Sequence, residues 1–217
     1  GDKAEISITL NNIGLVYFKL RNYEGALEYF NRCVTMKQEV GDTTNLDRTY
    51  LNLGLCYLHL KEFKEAKNYT LKALSFCGSK CDDEIIMMGE YGLGESAYWL
   101  GELDEAETHL KKSLALARQA GDKRWQAENL VYLSEVSIKR KEYDSAIASL
   151  GEADTIAKLT GHNQLLIDIY RQLSEVYNQT EDFKHAAIYQ RKLIQLSDSL
   201  IGQDLVKNIG KIQANYE

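Results

Sequence analysis

Glu95, Glu135 and Glu175 stand 40 residues apart, and the same register one and two intervals earlier holds Leu55 and Leu15. A row of carboxylates accepts hydrogen bonds from Lys or Arg, whereas leucines offer apolar contact. Three residues upstream of each stand Asn12, Asn52, Gly92, Tyr132 and Gln172. An amide such as Asn12 or Asn52 both donates and accepts. Phe18, Tyr91, Tyr98, Trp99 and Tyr132 fall on or beside the same helix arc, and rigid rings supply contact area at low entropy cost. This chemistry is recognition. No G-x-x-x-x-G-K-[ST], H-E-x-x-H or G-x-S-x-G is present, and Gly92-Leu93-Gly94 lies inside a helical pattern rather than between a strand and a helix. The chain reads as non-catalytic.

The remaining reactive side chains do not assemble by spacing. Cys33 and Cys56 fall at helix positions near the packing register, where a thiol fills space like a small apolar residue. Cys77 and Cys81 flank Gly78, four residues apart, with two readings: a disulfide in an oxidising compartment, or the end of one helix and the approach to another. Two cysteines without a second Cys or His pair nearby make no zinc site. His59, His109, His162 and His185 are isolated in sequence, so neither metal nor other cofactor is expected.

What must position these residues is an array. Ala26, Ala66, Ala106, Ala146 and Ala186 are 40 residues apart, each 12 residues after Gly14, Gly54, Gly94, Ser134 or Ser174. A period of that size signals a solenoid whose units bury their apolar faces by stacking. Leu10, Ile13, Gly14 and Tyr17 follow the spacing of a helix face, as do Tyr50, Leu53, Gly54 and Tyr57. Tyr23, Ala26, Leu27, Phe30 and Val34 repeat it in a second helix. That helix starts after Asn22, Glu62, Glu102, Glu142 or Asp182, polar groups suited to free N–H groups or the positive dipole end. Gly41-Asp42, Gly121-Asp122 and Gly161-His162 close three of the units, with Gly at a left-handed C-cap and Asp beginning the next helix. Gly78 to Asp82 forms a rearranged connection. A small residue facing Ala implies closely crossing helices.

The pattern Leu10-x-x-Ile13-Gly14-x-x-Tyr17 with Ala26, Phe30 and Cys33, repeated in Tyr50, Leu53, Gly54, Tyr57, Ala66 and Ala73, resembles the tetratricopeptide repeat. The unit of 40 residues exceeds the standard of about 34, matching a subtype with longer helices and Gly-Asp turns. The match weakens where Ser134 and Ser174 replace glycine, Ala97 and Ser137 replace tyrosine, and Glu90 stands where an aromatic or Leu is usual. The resemblance implies an all-α, right-handed α–α superhelix of five helix-turn-helix repeats, near 4–42, 43–82, 83–122, 123–162 and 163–202. A C-terminal helix over 203–217 would cap it or begin a coiled coil, with one domain spanning 1–217.

In such arrays the first helices line a concave groove, which makes the outer arc of each, the one with Asn12, Leu15, Phe18 and Lys19 and away from the packing stripe of Leu10, Ile13, Gly14 and Tyr17, the binding surface. By resemblance Asn12 and Asn52 clamp a peptide backbone, and Gly92 leaves a third clamp in doubt. Leu15, Phe18, Lys19, Arg48, Leu55, Tyr91, Glu95, Tyr98, Trp99, Tyr132, Glu135, Arg171 and Glu175 complete that surface. Two readings stand throughout: Leu15, Leu55 and Phe18 pack between first helices or touch ligand, and the glutamates form a solvated face or meet a basic ligand. The ligand reading expects a protein or peptide apolar at one end and basic at the other. Leu205, Val206, Ile209, Ile212 and Tyr216 have helical spacing. This segment is similar to the junction where bacterial tetratricopeptide sensors pass into a coiled coil, with kinase or DNA-binding output beyond Glu217.

Composition narrows the partners. Net charge is −6, with 11 basic against 12 acidic residues in 1–86 and 15 against 20 in 87–217, so no basic stripe offers itself to nucleic acid. No apolar run approaches the roughly 20 residues that cross a bilayer. The chain begins at Gly1, as an excised segment would, which leaves the compartment open. Three functions remain: a peptide- or protein-binding scaffold, the sensing part of a bacterial signalling protein, and a self-associating structural array.

Overall fold

A computed structural model describes the backbone of residues 3–214 and the side chains of residues 3–202. Among them are ten α-helices and no strand. They form two compact units, residues 1–122 and 123–217. In the first lie α1 (Lys3–Lys19), α2 (Tyr23–Val40), α3 (Leu46–His59), α4 (Phe63–Cys77), α5 (Asp83–Leu100) and α6 (Leu103–Gln119). In the second lie α7 (Lys123–Lys139), α8 (Tyr143–Thr160), α9 (Asn163–Gln179) and α10 (Phe183–Ala214). Odd-numbered helices lead each repeat and even-numbered ones trail.

Each repeat is a helical hairpin closed where the sequence carries its small residue. A Cβ on Gly14 would lie 2.6 Å from the Phe30 ring, on Gly54 2.6 Å from Thr70 Oγ1 and 3.3 Å from the Ala66 carbonyl, and on Gly94 2.6 Å from Leu110 Cγ. The close partner is therefore the side chain one turn after the alanine as well as the alanine backbone. Ser174 does the equivalent, its hydroxyl donating to the Ala186 carbonyl at 3.2 Å. Ala26, Ala66, Ala106 and Ala146 are fully buried.

The hairpin turn needs a left-handed residue, and the chain supplies one every 40 residues: Arg21, Lys61, Gly101, Lys141 and Glu181, with φ from 59° to 82°. Only Gly101 adopts this conformation without cost. The next residue caps the trailing helix in part. Asn22 accepts from the Gly25 N–H at 2.9 Å and Asp182 from the His185 N–H at 3.1 Å. Glu62, Glu102 and Glu142 make no side-chain cap bond and face the positive end of the helix dipole, Glu102 also pairing with Lys67 of α4 at 2.5 Å.

The joints between repeats differ from one another. Gly41, Gly121 and Gly161 take the expected left-handed conformation. Asp42 does not start α3, whose N-cap position is Asn45. It instead accepts from the Thr44 N–H at 2.9 Å and pairs at 3.0 Å with Lys37, which is 4% exposed and also donates to the Thr44 carbonyl. After α4 comes a 3₁₀ turn, Gly78–Lys80, with Cys77 and Cys81 in disulfide geometry, their Cα atoms 5.0 Å apart.

One expected boundary is absent. The segment read as a separate helix over 203–217 continues α10, which runs unbroken from Phe183 to Ala214 and is far longer than the other helices. The helical rhythm and lack of proline leave nothing to stop it. The side chains expected to cap the last repeat lie outside the described residues.

Candidate functional site

In the first unit the outer arc of the leading helices carries Asn12, Leu15, Phe18 and Lys19 on α1, Arg48, Asn52 and Leu55 on α3, and Glu95, Tyr98 and Trp99 on α5. Asn12 is exposed and Asn52 half-buried. Leu15 and Phe18 are partly buried against the cluster of Phe30, Leu46, Leu53 and Cys56, so they pack between repeats while keeping one side open. Tyr91 does not belong to the surface. It is 8% exposed, at the register where Leu51 and Val131 are also buried, because that edge of the helix turns inward.

The aromatic residues form joints across repeat boundaries. Phe18 meets Tyr23 and His59 edge-on at 5.4 and 5.3 Å, and Tyr23 stacks on His59 at 4.4 Å. Forty residues on, Phe63 stacks on Trp99 at 5.4 Å, and Tyr98 abuts the indole edge-on. Trp99 remains 52% exposed. His59 and the trailing-helix rings were not expected at the site, although Tyr23/Phe63 and His59/Trp99 recur at the array period and could have been paired from sequence.

Arg48 is committed within the fold. Its guanidinium donates to Asp82 at 2.7 Å and to Glu84 at 3.2 Å, tying α3 to the start of α5. Asp82 also accepts from the Ile85 N–H, capping α5. Glu90, odd at an aromatic register, lies 2.6 Å from His109 Nδ1 and 3.7 Å from Lys112 Nζ: a polar pair occupies the place where Tyr50 and Tyr69 face each other one repeat earlier. The isolation of His109 in sequence thus hides a partner across the hairpin, whereas His185 bonds Asp182, three residues before it, at 2.7 Å.

In the second unit the arc carries Tyr132 and Glu135 on α7 and Arg171 and Glu175 on α9. Gln172 joins the two helices. It accepts from the Ser134 hydroxyl at 2.8 Å and donates to Glu135 at 2.9 Å. Arg171 pairs with Asp168 at 2.6 Å. Glu175 is exposed and lines an open recess of about 400 Å³ with Arg171, Ser174, Asn178, Gln190 and Leu193. The acidic register is therefore partly anchored by an amide at Glu135 and presented to solvent at Glu175.

Cys33 and Cys56 are fully buried, and burial raises both thiols, Cys56 to about 12. They fill space in unit one and are no nucleophiles. Among the described residues no group of three or more His, Cys, Asp or Glu could hold a metal ion, and no helix is long and apolar enough to cross a membrane.

The family model for the tetratricopeptide repeat matches residues 5–77 and 85–158. No curated protein matches the sequence. Among solved structures, a Rap protein complexed with Competence and Sporulation Factor is 18% identical with a TM-score of 0.64, covering 94% of this chain and 66% of its own. A signal transduction ATPase with a tetratricopeptide repeat sensor from Pyrococcus horikoshii gives 19% and 0.72, covering 88% of this chain and 29% of its own. MamA from Desulfovibrio magneticus RS-1 gives 18% and 0.65, covering 92% and 97%. The chain thus spans less than two thirds of the Rap protein and under a third of the ATPase. At these identities the likeness is one of fold: paired helices stacked by repetition. With more than half its length matched by the family model, the chain belongs to the tetratricopeptide repeat family.

Proposed function

We propose that the outer arc of the leading helices binds a peptide or protein segment without catalysing a reaction on it. The observation that supports this is the change of chemistry along one register, from Leu15 and Leu55 to Glu95 in the first unit and Glu135 and Glu175 in the second. A ligand apolar at one end and carrying Lys or Arg at the other answers that order. Asn12 and Asn52 hold its backbone by amide hydrogen bonds, Phe18, Tyr98 and Trp99 supply contact area, and the acids meet its basic end.

The chain serves on this reading as the interaction or sensing module of a larger signalling protein. The Rap protein is complexed with Competence and Sporulation Factor and the Pyrococcus ATPase has a tetratricopeptide repeat sensor, which supports the class of role and not its details.

The reading is tested by screening an array of peptides with graded apolar and basic content and measuring hits by fluorescence anisotropy. Selection of apolar–basic peptides is expected, with Glu135→Lys/Glu175→Lys weakening binding roughly 5- to 30-fold and flattening its salt dependence, at about 1 kcal/mol per rim charge pair. Equal binding of acidic and basic peptides, or an unchanged salt slope in the variant, would refute the polarity.

A further inference from the structure

Within each unit the repeat joints bury two stripes against each other: one on a trailing helix and one on the leading helix that follows. On α3 the receiving stripe is Leu46, Thr49, Leu53 and Cys56, none more than 4% exposed, and on α9 it is Leu166, Ile169, Leu173 and Val176, none more than 6% exposed. On α1 the same register reads Ile6, Thr9, Ile13 and Val16, with Leu20 just past the end of the helix, the apolar spacing of a helix meant to be covered. Yet Ile6 is 40%, Val16 55% and Leu20 71% exposed.

The other half of a joint is open on α10. In α2 the donating stripe runs through Tyr23, Leu27, Phe30 and Val34, all packed on the cluster shared with α3 or on His59. The equivalents on α10 are Phe183, Ala187, Gln190 and Ile194, with Phe183 65% and Ile194 54% exposed.

Polar groups at the two faces also answer each other in the registers of the internal joints. Where Ser134 and Glu135 grip the amide of Gln172, the last repeat offers exposed Glu175, beside Ser174 whose hydroxyl turns to the Ala186 carbonyl, and the first offers the amide of Asn12. Where Tyr23 stacks on His59 and Phe63 on Trp99, the open faces hold Phe183 and Lys19, a ring and a cation. Where Arg48 pairs with Asp82 and Glu84, Asp168 on α9 takes the Arg48 register and Lys3, at the start of α1, falls between the registers of the two acids, so the signs are exchanged. Asp168 and Lys3 now pair with Arg171 and Glu39 on exposed surface and are within the reach of an exchange of partners.

We propose that copies of this chain associate head to tail, the α9–α10 face of one receiving the α1 face of the next in the register that joins repeats within the chain. The contact is heterologous, so it leaves one face of each kind open and propagates into chains or closes into a ring. Gln190 and Arg171, polar where interior repeats carry Leu150 and Val131, make the joint less apolar than an internal one and hence reversible. The association shares Asn12, Lys19 and Glu175 with the surface proposed for peptide, but its apolar contacts, Val16, Leu20, Phe183 and Ile194, lie off that arc, so substitutions among these four test it separately.

Sedimentation velocity between about 1 µM and about 1 mM tests it. Wild-type mass is expected to climb past the dimer with concentration. Val16→Arg and Ile194→Glu, both at exposed positions and checked by circular dichroism for unchanged melting, are each expected to remain monomeric. Mixed together they retain one competent face of each kind and should stop at a one-to-one dimer. A wild type monomeric throughout, assembly that survives either substitution, or a mixture that fails to pair would overturn the proposal; loss through Ile194→Glu alone would point to α10 meeting α10.

Discussion

Phe63 and Trp99 stack across a repeat joint with ring centroids 5.4 Å apart and planes 11° from parallel. The pair holds the trailing helix of the second repeat to the end of α5 while leaving Trp99 half in solvent. A double-mutant cycle with Phe63→Ala and Trp99→Ala should give a coupling of about 0.5–1.5 kcal/mol in chemical denaturation. Additive losses would mean that the rings pack independently.

Close helix crossing sets a second expectation. Ala106→Leu should cost about 1–3 kcal/mol by overpacking α5 against α6, read as a lower midpoint of thermal or urea unfolding. Gly94→Ala should also destabilise, because the added methyl would fall 2.6 Å from Leu110 Cγ, whose branch has little room to retreat. An unchanged melt in either variant would place the crossing elsewhere.

Thiol accessibility follows from burial. Native protein should show no titratable thiol, since Cys33 and Cys56 are fully buried and Cys77 is joined to Cys81. Unfolding without reductant should release two, and unfolding with reductant four. Four thiols after unreduced denaturation would show that the connection after α4 holds by packing alone.

Acid acts at the joint after α2. The Thr44 N–H and hydroxyl, then the Lys37 ammonium, hold the Asp42 carboxyl down at about 2. The folded value lies below the ordinary one of about 3.9, so the stabilisation is fully present above pH 3.9 and lost as pH falls through about 2. Asp42→Asn should melt earlier than wild type at pH 7, leaving buried Lys37 without its carboxylate, and the gap should close below pH 2. A constant gap across pH would assign the effect to packing.

The repeat, its period and its helix-turn-helix content were legible because small residues, alanines and capping positions recur at one interval, and a periodic sequence states its own geometry. The surface was less legible. Tyr91 looked available only because helix phase was judged at about 100° per residue; a small error in that phase moves a residue from the rim into the joint. Arg48 and Glu90 were obscured for another reason: their partners Asp82, Glu84 and His109 lie on other helices, and sequence spacing does not report contacts across a turn. The left-handed turn residues Arg21, Lys61, Lys141 and Glu181 were unannounced, since nothing about Lys or Arg advertises a positive φ.

The unbroken run of α10 has a mechanical consequence. At about 1.5 Å per residue its 32 residues make a stiff arm of about 48 Å. Its first half packs on α9, so a tilt of about 10° where it leaves that helix would carry the far end, about 24 Å on, through about 4 Å. A force applied at that end would be returned to the final hairpin as torque, and an adjustment in the hairpin would be carried outward along the helix.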